Sequence, residues 1–200
     1  MELYTIGASE QWNKWGDYGD ILLNGIAADD SERDVRLSRT GPFVPPVFFP
    51  LRTRAVIVSE AAKKEICLAK LGGVAEFKSV VVEKVVSVSW QNWDRNQTLK
   101  GNQLPFNGEP EEYIFHNDHS KDAATAVGPL WSWIPSVVGH VDRIDKRLKL
   151  RQVRDASQEV FRINDKFWQR VFVNNRGKVV LEDLFESWIS FTPVNAEIVD

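Results

Sequence analysis

One cysteine, one methionine and three histidines in 200 residues leave little material for several kinds of chemistry. A lone thiol, Cys67, cannot close an intramolecular disulfide, so no disulfide framework supports this fold. Its surroundings, "AAKKEICLAKL", read as a helix, and Cys67 is expected there as a small buried apolar residue. Long apolar runs are also missing. No window approaches about 18 uninterrupted apolar residues, so no membrane-spanning helix is expected. The start "MELYTIGASEQW" has neither the basic stretch nor the apolar core of a signal peptide, and the expected compartment is the cytoplasm. Lys and Arg number 25 against 28 Asp and Glu, for a net charge of −3 and a pI near 5.7. Such a chain has no general attraction to nucleic acid or to anionic lipid, and neither is expected as a partner. Glycine-based signatures are absent too: there is no Gly-x-Ser-x-Gly elbow and no Gly-x-Gly-x-x-Gly. "LGGV" and "NGEP" lack the length and the lysine of a P-loop. No cofactor and no catalytic residues are expected.

What is present is a soluble globular composition, 43% hydrophobic and 26% charged. The length suits one domain over residues 1–200. Eight tryptophans are many for this length, and six fall in spaced pairs: Trp12 and Trp15, Trp90 and Trp93, Trp131 and Trp133. Indole buries a large area and needs one hydrogen-bond partner, so core packing is the plainer role, with a recognition surface as the alternative.

A repeated unit organises the pattern. "AVIV" is a β-branched strand, Ser59 can cap a following helix, and Glu60 complements that helix's dipole. Ala62, Ile66, Ala69 and Leu71 approximate its apolar face, "LGG" ends it, and "AEFKSVVVEKVVSVSW" then runs extended. Setting Val58 against Val173 gives an offset of 115 residues. The same offset pairs Val56 with Val171, Ile57 with Phe172, Lys63 with Lys178 and Ile66 with Leu181. One residue fewer pairs Phe77 with Phe191 and Val80 with Val194. The second copy reads strand "RVFV", helix "NRGKVVLEDLF", strand "ISFTPV", with Asn174 as cap and Gly177 weakening the helix. The expected fold is α+β: a mixed or antiparallel sheet with a few helices and two related strand-helix-strand units, at about 55–82 and 170–196.

Elsewhere "ELYTIGASEQWNKWGDYGD" suggests a strand followed by an irregular or briefly helical stretch. "DDSERDVRLSR" is charged and expected to be exposed. "GPFVPPVFFP" has four prolines in ten residues, which permits only extended backbone; it is too apolar for a linker and should lie against the core. Residues 91–122 read as a long polar loop with a short strand at "EYIF". "AATAVGPLWSWIPSVVGHV" reads as helical stretches broken by Gly128, Pro129 and Pro135, and "DRIDKRLKLRQVRD" as a solvated face of alternating charge.

The densest chemistry lies in "EPEEYIFHNDHS", which brings Glu109, Glu111, Glu112, His116, Asp118 and His119 together. His116 and His119 with a neighbouring carboxylate could ligate zinc, manganese or iron in a metal-dependent hydrolase, although the spacing departs from the four-residue zincin pattern. The competing structure is a turn tied to backbone by Asp118 and Ser120, with "SKDAATAV" beginning a helix. A small-ligand module using the paired tryptophans is a further alternative. "DKFWQRVF" interleaves basic and aromatic residues but reads as a half-buried strand.

The runs "GPFVPPVFFPLRTRAVIVSEAAKKEI…GVAEFKSVVVEKVV" and "EVFRINDKFWQRVFVNNRGKVVLEDL…ISFTPV" resemble the immunity proteins of bacterial polymorphic-toxin systems, over about half the chain. The second run carries the closer likeness, through Glu159, Phe161 and Arg162, then Val171 to Val173, then Phe191, Pro193 and Val194. The resemblance implies a cytoplasmic inhibitor that binds a cognate protein toxin, encoded by the adjacent gene, with no catalytic motif of its own. Discrimination between toxins favours changeable loops over core. The expected interface is therefore in residues 91–122, with Glu109, Glu111, Glu112, Asp118 and Trp93 touching the partner.

Overall fold

The computed structural model describes residues 2–9, 17–29, 34–71, 73, 75–88, 110–144, 147–151, 158–164, 170–194 and 196–199. The fold is α+β, with mixed and antiparallel sheets. In chain order the elements are β1 (Leu3–Ala8), α1 (Asp17–Asn24), β2 (Ile26–Asp29), β3 (Val35–Gly41), β4 (Val47–Phe48), β5 (Val56–Ser59), α2 (Glu60–Leu68), β6 (Glu76–Ser79), β7 (Val81–Ser87), α3 (Pro110–His116), α4 (Lys121–Val127) and β8 (Leu130–Ile134). They continue as β9 (Val137–Ile144), β10 (Arg147–Arg151), β11 (Val160–Asn164), β12 (Val171–Asn174), α5 (Asn175–Phe185), β13 (Ile189–Val194) and β14 (Ala196–Val199).

β5, α2 and β6 form because a β-branched run meets a good cap. Ser59 is extended and its hydroxyl accepts from the Ala62 amide at 3.2 Å, which satisfies one of the helix's unpaired donors. Asn174 does the same for α5, its Oδ1 accepting from the Gly177 amide at 2.9 Å. The two caps stand at the 115-residue offset, as do the buried helix residues Ala62 and Gly177, Ile66 and Leu181.

Sheet order extends the correspondence. β4, β5, β8 and β6 form a four-stranded sheet in that order, and β11, β12, β1 and β13 run consecutively within a seven-stranded sheet. Every neighbouring pair in both sets is antiparallel. Val58 faces Trp131 across β5 and β8, and Val173 faces Tyr4 across β12 and β1. Phe77 lies opposite Trp133, and Phe191 opposite Ile6. The slot that β8 fills in the first unit is filled in the second by β1, from the other end of the chain.

Period-2 side-chain alternation then divides the interior. Val56 and Val58, Val171 and Val173, and the helix residues Ala62, Ile66, Leu181 and Phe185 share one core, so the two units bury their helix-bearing faces together. On the opposite faces Ile57 packs into a second core with Leu37, Phe48, Val85 and Leu130, and Phe172 into a third with Leu3, Phe161 and Ile163. The second core is closed by α4 and by a three-stranded sheet ordered β2-β3-β7.

Several expectations need correction. Cys67 is exposed, because α2 buries Ala62 and Ile66 and the next position turns away from that stripe. Ala69, expected on the apolar face, is exposed at the helix cap, while Leu71 is buried beyond it. "DDSERDVRLSR" is not an exposed stretch throughout: it contains most of β3, where Leu37 and Arg39 are both fully buried. "LWSWI" and the residues from Val137 are strands rather than broken helix, since Gly128 and Pro129 end α4 and alternation then takes over. The strand pattern in "DRIDKRLKLR" belongs to β9 and β10. The extended run after α2 breaks at Val80 into β6 and β7, which belong to different sheets. "GPFVPPVFFP" does lie against the core, with Val47 and Phe48 each 1% exposed. No helix among the described residues is long and apolar enough to cross a membrane.

Candidate partner-binding surface

"EYIF" is helical. Pro110 suits a first helical turn, Glu111 and Glu112 complement the dipole there, and α3 runs to His116 in place of the expected strand. What fixes it is Ile114, fully buried in a small core with Ile21 and Ile26, a burial worth about 2 kcal/mol. The last turn is held by Lys84, whose ammonium donates to the Phe115 carbonyl at 2.8 Å, a favourable place for a cation. Asn117 Nδ2 donates to the Tyr113 carbonyl at 2.8 Å, and the Tyr113 hydroxyl donates to the Ser87 carbonyl at 3.4 Å. Partial burial raises the Tyr113 pKa, so the phenol stays a donor.

On this fixed platform Glu112, His116 and Asp118 are exposed, Glu111 is half-buried, and Phe115 leaves 47% of its surface in solvent. Glu111 and Phe115 are one helical turn apart, which places a carboxylate beside an aromatic ring on one face. Glu109 and Trp93 lie outside the described residues. The composition of α3 pointed to the acidic residues. Phe115 is not signalled, because "EYIF" reads as a strand in the sequence.

His119 has a backbone role. Its Nδ1 accepts from the Val85 amide at 3.1 Å, and the Ser120 amide donates to the Val85 carbonyl at 2.8 Å, so the turn continues the edge of β7. Ser120 then caps α4 through the Ala123 amide at 3.2 Å. Among the described residues no three His, Cys, Asp or Glu side chains are grouped as a metal site would need.

A second polar centre lies around Arg39, in β3. The Arg39 guanidinium is fully buried; it donates through Nε to the Thr40 carbonyl and through Nη2 to the Leu23 and Phe43 carbonyls, and it stacks 4.7 Å over the Phe48 ring. Thr40 donates to the Leu22 carbonyl at 2.6 Å. These two side chains occupy carbonyls that the end of α1 would leave orphaned, while Gly25, at φ 75°, closes the turn where a Cβ would stand 2.7 Å from the Ser38 oxygen. Burial pushes Arg39 down to about 9, which leaves it a cation at neutral pH. Its work is to tie the proline-rich segment to α1. The signal that could have found it is the alternation Val35, Leu37, Arg39, which reads as a strand despite the charge.

Of the tryptophan pairs, Trp131 and Trp133 are described. Both face the shared core, Trp133 being 2% exposed. The Trp131 indole donates to Glu60 at 2.6 Å, and Lys63 Nζ stands 3.1 Å from its ring centroid. Comparison with models of known families, with curated proteins and with solved structures finds no match.

Proposed function

We propose that this is an immunity protein, a non-enzymatic inhibitor that binds a cognate toxin inside the bacterium producing it. The resemblance of the two quoted runs motivates the class. The observation that carries the mode of action is α3, a helix pinned through Ile114 that presents Glu111 and Glu112 next to a half-exposed Phe115. Toxins acting on nucleic acids need a basic cleft, and carboxylates held on a rigid helix can occupy it as phosphates would, while the ring gives an aromatic anchor. Steering by those charges weakens as salt rises.

Co-expression with the product of the adjacent upstream reading frame tests the class: survival and a complex on gel filtration are expected, and unchanged toxicity with no complex rejects it. The triple variant Glu109→Ala, Glu111→Ala, Glu112→Ala tests the surface. Its association with the toxin should slow about tenfold at low salt, with a thermal midpoint nearly that of the parent. Identical binding at both low and high salt would place the interface elsewhere on the molecule.

A further inference from the structure

The repeat reaches beyond its two strand-helix-strand units. β2, β3 and β7 form one sheet in which β2 and β3 are antiparallel and β3 and β7 parallel; β9, β10 and β14 repeat both the order and the directions. A parallel bridge from Ile26 to Leu51 joins the first of these sets to the segment after β4, the Ala27 amide donating to the Leu51 carbonyl and the Leu51 amide to the Gly25 carbonyl, each at 3.0 Å. β9 and β11 are parallel at the same place: His140 lies opposite Asn164, three residues past Phe161 as Leu51 is three past Phe48. Across that bridge the first half runs β6-β8-β5-β4-β2-β3-β7 and the second β13-β1-β12-β11-β9-β10-β14. The two orders agree strand for strand and direction for direction. In each, the outermost strands are separated in sequence by one residue, Val80 or Asn195, so the sheet's two ends come within about 8 Å and the sheet curls into a barrel. The interiors agree as well. Phe48, Ile57, Leu130 and Val80 share one core, and Phe161, Phe172, Leu3 and Val194 meet in the other.

We infer that the protein is a duplicated unit of seven strands and one helix, a dimer fused into one chain, whose halves have exchanged their first strands. β1 opens the first half and completes the second barrel; β8 opens the second half and completes the first. Reciprocal exchange of an equivalent element is a low-cost way for two copies to interlock. The core shared by the two helix-bearing faces is then the interface between the copies. Side chains at the exchanged strands agree with this. Tyr4 lies opposite Val173 as Trp131 lies opposite Val58, and Ile6 opposite Phe191 as Trp133 opposite Phe77, which sets "LYTI" against "LWSW". Leu3 and Leu130 point into their barrels, while Tyr4, Ile6, Trp131 and Trp133 face the interface. Among the described residues α1, α3 and α4 have no counterpart, and all three pack on β3 of the first half. The α3 surface therefore lies on what was added to a symmetric scaffold, and the duplication does not depend on what that surface binds.

The test grafts one exchanged strand onto the other in the full chain. Tyr4→Trp, Thr5→Ser and Ile6→Trp together write the β8 pattern into β1, and Tyr4→Ser, Thr5→Trp and Ile6→Trp carry the same residues in shuffled order. Urea denaturation of the graft should show one cooperative transition, with the folded-to-unfolded ratio lowered by about thirtyfold or less. The shuffled variant should lose at least about a thousandfold, because alternation turns the ring at position 5 into the filled barrel and leaves position 4 without one. The double variant Tyr4→Trp, Thr5→Ser separates pattern from size: it should stay within about threefold of the parent even where the larger ring at position 6 is costly. The inference is overturned if the double variant loses more than about thirtyfold, or if the shuffled variant is as stable as the graft. The latter result would mean that the slot in the second barrel does not read the pattern of β8.

Discussion

In the first strand-helix-strand unit the aromatic beneath the helix is Trp131, and its indole N–H is received by Glu60 in the first turn of α2. In the second unit the corresponding aromatic is Tyr4, whose hydroxyl donates to Glu2 at 3.2 Å, and Glu2 in turn accepts from Asn175 at 3.1 Å. Asn175 occupies the place of Glu60 at the 115-residue offset, so the carboxylate has moved from the helix to the residue just before the neighbouring strand while the polar end of the aromatic remains satisfied. At these two half-buried rings the polar atom is met from whichever element is at hand, whereas the indole nitrogen of the fully buried Trp133 has no hydrogen-bond partner. The requirement that persists between the units is physical, and the residues meeting it change.

Position 62 against 177 shows the converse, where one residue differs because its surroundings do. Ala62 carries a methyl group into the shared core. A methyl group at Gly177 would overlap the Glu159 carbonyl oxygen, because the chain entering β11 passes against the first turn of α5 and also takes the Asn174 amide at 3.1 Å. The largest effect that separates the units is therefore at this pair. Gly177→Ala raises intrinsic helix propensity yet should destabilise by about 3 kcal/mol, since backbone cannot rotate away as a side chain can. Ala62→Gly should cost about 1.5 kcal/mol through lost burial and propensity. Urea denaturation of both variants checks the order; a neutral or stabilising Gly177→Ala would mean that the two helix starts are interchangeable.

The caps should differ next. Ser59 makes the one cap bond to Ala62, whereas Asn174 receives from Gly177 and also donates through Nδ2 to the Gln158 carbonyl at 3.2 Å. Ser59→Ala is expected to cost about 1 kcal/mol and Asn174→Ala about 2 kcal/mol, the excess arising from the stranded carbonyl. Asn174→Ser, which restores the cap but not the second bond, should recover about half of the loss in the same urea measurement. Full recovery would show that the Gln158 contact contributes nothing.

Much of this correspondence was legible in the chain. β-Branched runs, cap residues and the offset placed β5, α2, β12, α5 and β13 because those signals are local and each agrees with its neighbours. What the sequence concealed was long-range. Nothing local says that β8 must lie between β5 and β6, or that β1 must cross from the start of the chain to lie between β12 and β13. The "WSW" of β8 sits between helix-breaking residues that mask its alternation, and the charges around Leu37 hide a strand whose buried arginine donates to two nearby carbonyls and to that of Leu23, sixteen residues away, and keeps Nη1 without a hydrogen-bond partner. At the candidate surface, composition reveals the acidic residues, while the helix places Glu111 one turn from Phe115 on one face, a neighbourhood that an extended "EYIF" does not create.

The smallest expected difference concerns the paired lysines. Lys63 stands 3.1 Å from the Trp131 centroid and 5.6 Å from that of Phe77; Lys178 stands 5.2 Å from Tyr4 and 5.8 Å from Phe191. Indole is the better cation acceptor and the first lysine is nearer, so its ring contact should be worth about 1 kcal/mol against about 0.5 kcal/mol for the second. Lys178 also pairs with Glu182 at 3.1 Å, one turn along α5, which adds a few tenths of a kcal/mol at low salt and little at high salt. Lys63→Met and Lys178→Met keep the apolar stem over the rings and remove only the charge. In dilute buffer the two substitutions should therefore cost similar amounts. In about 1 M sodium chloride, where the Debye length falls to about 3 Å, Lys178→Met should lose the ion-pair part of its cost and fall to about 0.5 kcal/mol, while Lys63→Met keeps most of its cost, because its charge rests against a ring that excludes ions. Equal salt sensitivity in the two variants would show that both lysines act through exposed carboxylates, and that the recurrence of a lysine over an aromatic pair has no energetic content.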